Sequence, residues 1–170
     1  MRPRRAKLSD APAIHALIAH YAAQGLLLPR DAEEIRANIG HFIVQEESRR
    51  LISCLSLESY GADFAEIRSI AVHPENRGQG LGARLIASAL NEARRCGIAR
   101  VFAVTHAPKF FERQGFIAAA RQSLAEKIER DCRACSQQRT CNLVAVIATV
   151  IPERVMMPIL SDSAAPVPAC

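Results

Sequence analysis

The chain contains no tryptophan and only two tyrosines in 170 residues, so it has little of the aromatic surface on which nucleic-acid binders stack bases. No apolar run approaches the roughly 20 residues that a membrane span requires. The basic opening MRPRRAK leads into apolar residues spaced along one helix face, not into the continuous stretch of a signal peptide. Nucleic acid and membrane are therefore set aside as partners, and the expected compartment is the cytoplasm. In that reducing setting the six cysteines are read as thiols or metal ligands before disulfides. The net charge of +5 comes from scattered Lys and Arg, which reads as a solvated basic surface. Such a field also draws in polyanionic coenzymes and acidic amino acids.

What is present is a composition of 49% hydrophobic and 23% charged residues, which suits one compact domain. Its expected extent is 1–151, because PERVMMPILSDSAAPVPAC at 152–170 holds four of the nine prolines and has no sustained period. That segment reads as a tail. Ser9 or Asp10 is placed to cap a first helix with Pro12 in its first turn, and Ile14, Leu17, Ile18 and Tyr21 follow at helical spacing. Asp31 with Glu34 resembles a capping box for a second, short helix carrying Ile35 and Ile39. His41 to Glu46 and Leu51 to Leu57 read as a hairpin around Ser48, Arg49 and Arg50.

AEIRSIAV, residues 65–72, is β-compatible and stops at His73 and Pro74. Leu81, Leu85, Ile86, Ala89, Leu90 and Ala93 mark a long amphipathic helix that Gly97 ends. Arg100 to Thr105 reads as strand, Pro108 to Gln114 as helix, Phe116 to Ala120 and Asn142 to Val150 as strands. This order predicts a mixed α/β fold.

Between the strand and the long helix lies Arg77-Gly78-Gln79-Gly80-Leu81-Gly82. Its amides converge on a positive helix end while glycine permits close approach of an anion, so it reads as a pyrophosphate cradle. A dinucleotide fingerprint would place such glycines early in a βαβ unit with a later third glycine, and a triphosphate loop would need Gly-Lys-Ser/Thr. Neither pattern fits.

The combination of SIAVHP, Arg-x-x-Gly-x-Gly and an amphipathic helix resembles the acetyl-CoA motif of the GNAT superfamily of N-acetyltransferases. The resemblance implies the GNAT fold, a mixed, mostly antiparallel sheet flanked by helices, and acetyl-CoA as co-substrate with no metal required. It also implies that backbone groups of Ile70, Ala71 and Val72 pair with the pantetheine arm. The amides from Arg77 through Gly78, Gln79, Gly80 and Leu81 to Gly82 would hold the pyrophosphate. LLLPRDAEEI, DFAEIRSIAVHPENRGQGLG, RVFAVTHAPKFFERQGF and KIERDCRACSQQRTC are further similar to the acetyltransferase domain of N-acetylglutamate synthases, over about residues 26–149. On this resemblance the sequence is read as a stand-alone form without the amino-acid-kinase-like domain of the long synthases. The implied reaction is acetylation of the α-amino group of an amino acid, L-glutamate first, which opens arginine biosynthesis.

An amine attacks a thioester only when neutral, so the site needs a base, and Glu66 is the candidate that the resemblance places beside the amine. A glutamate acceptor carries two carboxylates, which guanidinium forks match best. Arg30 in LLLPR and Arg68 are the expected clamps, with Ser69 beside them. Alternation puts Glu66 and Arg68 on one face and Ser69 on the other, unless a bulge shifts the register. His106 and Lys109, in the turn after the next strand, are further expected substrate contacts.

Many superfamily members use a tyrosine after the fifth strand to protonate the leaving thiolate; here that region reads Phe110-Phe111, and Tyr21 and Tyr60 lie upstream. No proton donor is assigned. Cys132, Cys135 and Cys141 have a zinc-like spacing but supply only three ligands, so a structural or redox-sensitive turn is preferred to a metal site. Cys54 and Cys96 read as small core residues. The alternatives to glutamate acetylation are transfer to another small amine or a protein N-terminus, or a non-catalytic acetyl-CoA sensor. The implied partner is a small-molecule amino acid, with a homodimer as a further option.

Overall fold

The computed structural model describes residues 2–124, 127–133, 135 and 141–151. The predicted tail lies outside them. The elements are β1 (Arg4–Arg5), α1 (Ala11–Ala22), α2 (Ala32–Ala37), β2 (Phe42–Glu47), β3 (Arg50–Ser59) and β4 (Phe64–Val72). They continue with α3 (Leu81–Arg95), β5 (Arg100–Thr105), α4 (Pro108–Glu112), β6 (Ile117–Ala118) and β7 (Val144–Thr149). The strands form one sheet in the order β1-β2-β3-β4-β5-β7-β6, antiparallel throughout except for β4 beside β5.

Alternation along the strands sorts the apolar residues into two layers. Ile43, Leu55, Ala65 and Ile67 pack with Leu85, Ile86, Ala89 and Ala93 of α3. Phe42, Val44, Cys54 and Ala71 pack with Ile14, Leu17, Ile18 and Tyr21 of α1 and Ile35 of α2. A third cluster of Tyr60, Phe64, Phe102, Leu124 and Ala145 closes the end of the sheet. Cys54 is fully buried, as its composition class suggests, and Cys96 packs half-buried against the α3 layer.

The predicted helices and strands are present, with local differences. Asp10 does not cap α1. A 3-10 turn at Leu8–Asp10 runs directly into that helix, and the Asp10 carboxylate instead accepts from the Lys7 amide and from Arg4. Asp31 caps α2 through the amides of Glu33 and Glu34, but the Glu34 side chain turns to Arg30 and leaves the box half made. β6 is shorter than expected because Phe116 is buried beneath α4, where its ring meets Phe111 edge-on.

One irregularity positions the site. Ser56 pairs with Arg68 and Cys54 with Ala71, so Ser69 and Ile70 together stand opposite Leu55. Ser69 is the bulged residue, at φ +50°. In an unbroken strand Ala71 would share a face with Ile67; the extra residue sends Ile70 to the α3 layer and Ala71 to the α1 layer. Glu66 and Arg68 precede the bulge and stay on one face, as alternation predicts. β4 pairs with β5 only from Phe64 to Glu66. Beyond that rung the two strands diverge.

Candidate active site

The divergence of β4 from β5 opens a groove of about 610 Å³. Ile70, Ala71 and Val72 form one wall, Thr105 and His106 the other, and Arg77, Gly78, Gly80, Leu81 and Gly82 its mouth. Gly78 and Gly80 adopt φ +77° and +72°, a region that L side chains enter only at a cost of about 1–2 kcal/mol. Among the described residues, the amides of Gly78, Gln79 and Gly80 bond no carbonyl of the chain, and the first amides of α3 lack intrahelical acceptors by construction. This row of donors at a helix N-terminus suits a diphosphate. Gln79 itself is exposed and is not among the residues lining the groove. Gly82 leaves room for the Phe110 ring, whose Cζ lies 3.0 Å from where a Cβ would stand.

Tyr21 also lines this groove, donating its hydroxyl to the Val72 carbonyl while the Arg77 guanidinium lies 5.0 Å from its ring centroid. Its remoteness in sequence concealed that position. Phe110 and Phe111 both line the groove, Phe111 with most of its ring buried in the α3 core, so α4 presents no phenol hydroxyl there.

Glu66 sits on the last rung shared by β4 and β5 and is 3% exposed. Its Oε2 accepts from the Tyr60 hydroxyl at 2.9 Å and the Lys127 ammonium at 2.8 Å, with Arg68 Nε at 3.6 Å. Burial pushes its pKa above the ordinary carboxylate value, and Lys127 and Arg68 offset this only in part. Asp131 accepts from Lys127 at 2.7 Å and from Tyr60. Its own partial burial would raise its pKa, but the hydrogen bonds from Lys127 and Tyr60 outweigh that and hold it down at about 2. The phenol of Tyr60 is held well above its usual value by burial and the Glu66 charge. It has one proton to donate and so serves one carboxylate at a time.

Beside this group, Glu58, the register partner of Glu66, joins the arginines. It accepts from Arg30 at 2.7 Å and from Arg68 at 2.9 Å, with Arg130 at 3.6 Å. Burial would raise its pKa, yet Arg68 and Arg30 carry it below normal. Arg30 is 9% exposed. It also bonds Glu34, and its Nη1 is buried without a hydrogen-bond partner among the described residues. A second cavity of about 280 Å³ lies here, lined by Arg30, Glu34, Asn38, His41, Glu58, Ser59 and Arg130.

The structure thus brings Glu66, Arg68 and Arg30 into one network and places Ser69 in the bulge next to it. His106 faces the groove instead. Lys109 is exposed and lines neither cavity; two residues from buried Phe111, it points to the opposite side of α4. Glu58, Tyr60, Lys127, Arg130 and Asp131 were not anticipated. Among the described residues no group of three or more His, Cys, Asp or Glu is arranged to hold a metal ion.

Comparison with known proteins gives this arrangement a family. The acetyltransferase (GNAT) family model matches residues 12–116. An uncharacterized N-acetyltransferase of Chlorobaculum tepidum is 34% identical over 147 residues, which is 86% of this chain and 95% of that protein. An amino-acid acetyltransferase of Mycobacterium tuberculosis is 33% identical over 76% of each chain. An amino-acid acetyltransferase of Neisseria meningitidis is 36% identical over 76% of this chain, which spans only 30% of that longer protein. Among solved structures, N-acetylglutamate synthase from Neisseria gonorrhoeae complexed with coenzyme A and N-acetyl-glutamate superposes with a TM-score of 0.80. The match has 32% identity and covers 87% of this chain and 34% of that one. The sequence matches, the splayed sheet and the glycine turn at its mouth agree on one conclusion: the chain belongs to the acetyltransferase (GNAT) family.

Proposed function

We propose that the protein transfers the acetyl group of acetyl-CoA to the α-amino group of an amino acid, with L-glutamate as the acceptor. The observation that carries the acceptor assignment is Arg30 Nη1, a buried guanidinium nitrogen without a partner beside an open cavity. Leaving such a donor unpaired costs roughly 1–3 kcal/mol, which a carboxylate oxygen entering the cavity returns as a charge-assisted bond. The likeness to amino-acid acetyltransferases over most of this chain supports the same reading.

In this reading the α3 turn holds the diphosphate, and the β4 edge at Ile70 to Val72 aligns the pantetheine arm in the groove. Glu66 takes the proton that the amine must lose to attack the thioester carbonyl. The new C–N bond forms as the C–S bond breaks, and the electron pair of that bond leaves on sulfur. A thiolate departs without obligatory protonation, so the absence of a tyrosine at Phe111 is compatible with turnover. Arg30 and Arg68 orient the acceptor through its carboxylates, His106 lines the groove, and Ser69 sits in the bulge next to the groove residue Ile70.

A second reading, transfer to an amine without paired carboxylates, is favoured by one feature. Arg30, Arg68, Lys127 and Arg130 are matched within the cluster by Glu34, Glu58, Glu66 and Asp131. Thiol release from acetyl-CoA with a panel of amino acids and simple amines separates the two. Glutamate preference that collapses in Arg30→Met supports the first. Equal rates with neutral amines support the second, and no turnover with any amine, despite tight CoA binding, would mean a sensor.

A further inference from the structure

Lys127 and Asp131 lie on a segment that no helical or strand period marks, around the π-helical turn Ile128–Cys132. Neither lines the groove or the cavity beneath Arg30. Yet Lys127 is 8% exposed, an uncommon position for an ammonium unless it is paired. Its Nζ lies 2.8 Å from Glu66 Oε2 and 2.7 Å from Asp131 Oδ2. The Tyr60 hydroxyl and Arg68 Nε approach the same Glu66 oxygen. All of these contacts end on Oε2, while Oε1 has no hydrogen-bond partner among the described residues.

The terminal torsion of a glutamate is broad and roughly two-fold, so a carboxylate without a fixed partner does not present a defined lone pair. The Lys127 ammonium, joined by the Tyr60 hydroxyl when its proton is not on Asp131 and by the nearby Arg68 charge, restricts that freedom at Oε2 and leaves Oε1 without a fixed partner. We propose that Lys127, held in place by Asp131, is a positioning residue that fixes Glu66 Oε2 and presents Oε1 as the proton acceptor for the amine. This rests on the proposed role of Glu66 as base.

The groups facing Glu66 set the sign of the electrostatic effect. They are Tyr60 from the β3–β4 connection, Arg68 on β4, Glu58 on β3, and Lys127 and Asp131 on the last segment, with Arg130 pairing Glu58 and Asp131. Burial drives Glu66 toward the protonated form, and Lys127 is the largest charge opposing it. An opposite charge within ~4–6 Å lowers a carboxylate pKa by about 1–3 units. Because Arg68 remains, the lower end applies to loss of Lys127 alone. A base works deprotonated, so Lys127→Met moves the acid limb of the kcat/KM profile to higher pH, and loss of the Asp131 charge moves it to lower pH.

The test is the pH dependence of kcat/KM, measured by thiol release with acetyl-CoA and glutamate, for wild type, Lys127→Met, Lys127→Arg and Asp131→Asn. The expected results are an upward shift of about one unit for Lys127→Met, which is about tenfold in rate below the limb. Lys127→Arg restores most of the limb position, and Asp131→Asn shifts it downward. The KM for acetyl-CoA stays within about twofold, since the groove is not touched. A uniform loss of rate with an unmoved limb in both Lys127→Met and Asp131→Asn overturns the proposal and makes the pair a structural strut. If Lys127→Met does not fold, Lys127→Gln, which keeps a hydrogen-bond donor but not the charge, takes its place, with the same upward shift expected and an unmoved limb overturning the proposal. Glu66→Gln run alongside separates the two levels: wild-type turnover in that variant refutes the base itself, whereas loss of turnover with unmoved limbs refutes only the positioning.

Discussion

Replacing Glu58 with Gln removes the one negative charge on which three guanidinium groups converge. Its Oε1 lies 2.7 Å from Arg30, and its Oε2 lies 2.9 Å from Arg68 and 3.6 Å from Arg130. The Arg130 side chain is 47% exposed, so solvent screens that pair and its share is small. The Arg30 and Glu58 side chains are only 6% and 11% exposed. Breaking such a buried pair from one side costs about 3–5 kcal/mol, because the remaining charge stays desolvated. Two features reduce the penalty. The introduced amide oxygen still accepts one hydrogen bond, and Arg30 and Arg68 keep Glu34 and Asp131 as counter-charges. The expected loss is therefore about 2–3 kcal/mol, read as a lower urea midpoint at pH 7 with an unchanged slope.

The pH dependence checks the cause. The Glu58 pKa is depressed in the folded chain, so its contribution is complete above the unfolded value of about 4.3 and disappears as pH falls through the folded value. The gap between wild type and variant should close on acidification below about pH 4. A midpoint change worth under about 0.5 kcal/mol at pH 7, or a gap that persists undiminished at low pH, would refute the buried-hub reasoning.

Two other outcomes follow from the groove and the core. Gly82→Ala sets a methyl group 3.0 Å from the Phe110 ring and pushes that ring into the groove; calorimetry should show CoA affinity weakened by about fivefold, near 1 kcal/mol, with little change in Tm. The Cys54 thiol, which burial pushes up to about 12, should resist a thiol reagent at pH 8 in the native protein and react on unfolding, as peptide mass mapping will show.

The sequence made the layers and the groove legible, because the signals involved are local. The helical spacing of Ile14, Leu17 and Ile18, the glycines at 78 and 80 and the stop at Pro74 each act within a few residues. The ionic cluster was legible only in part. Glu66, Arg68 and Arg30 followed from family likeness and charge logic, but their partners did not. Glu58 joins through strand register, and Lys127 and Asp131 return to Glu66 across about sixty residues on a turn without periodicity. The Ser69 bulge was foreseeable as a condition on alternation; only the pairing of Cys54 with Ala71 shows which side chains it redirects. Lys109 is exposed outside both cavities, because closeness in sequence to His106 says nothing about the face of α4 a residue occupies.

The turn from Arg77 to Gly82 is the proposed grip on the diphosphate of coenzyme A, and acetyl transfer at this site requires it. Isothermal titration of the protein with CoA and, separately, with pantetheine, which lacks the diphosphate and the 3′-phosphoadenosine beyond it, tests it most directly. Adenosine 3′,5′-bisphosphate titrated alongside measures the share of the nucleotide without the diphosphate. One-site binding of CoA with pantetheine at least about a hundredfold weaker, near 2.7 kcal/mol, is the predicted result. Equal affinity for the two, or no heat with CoA, would contradict it.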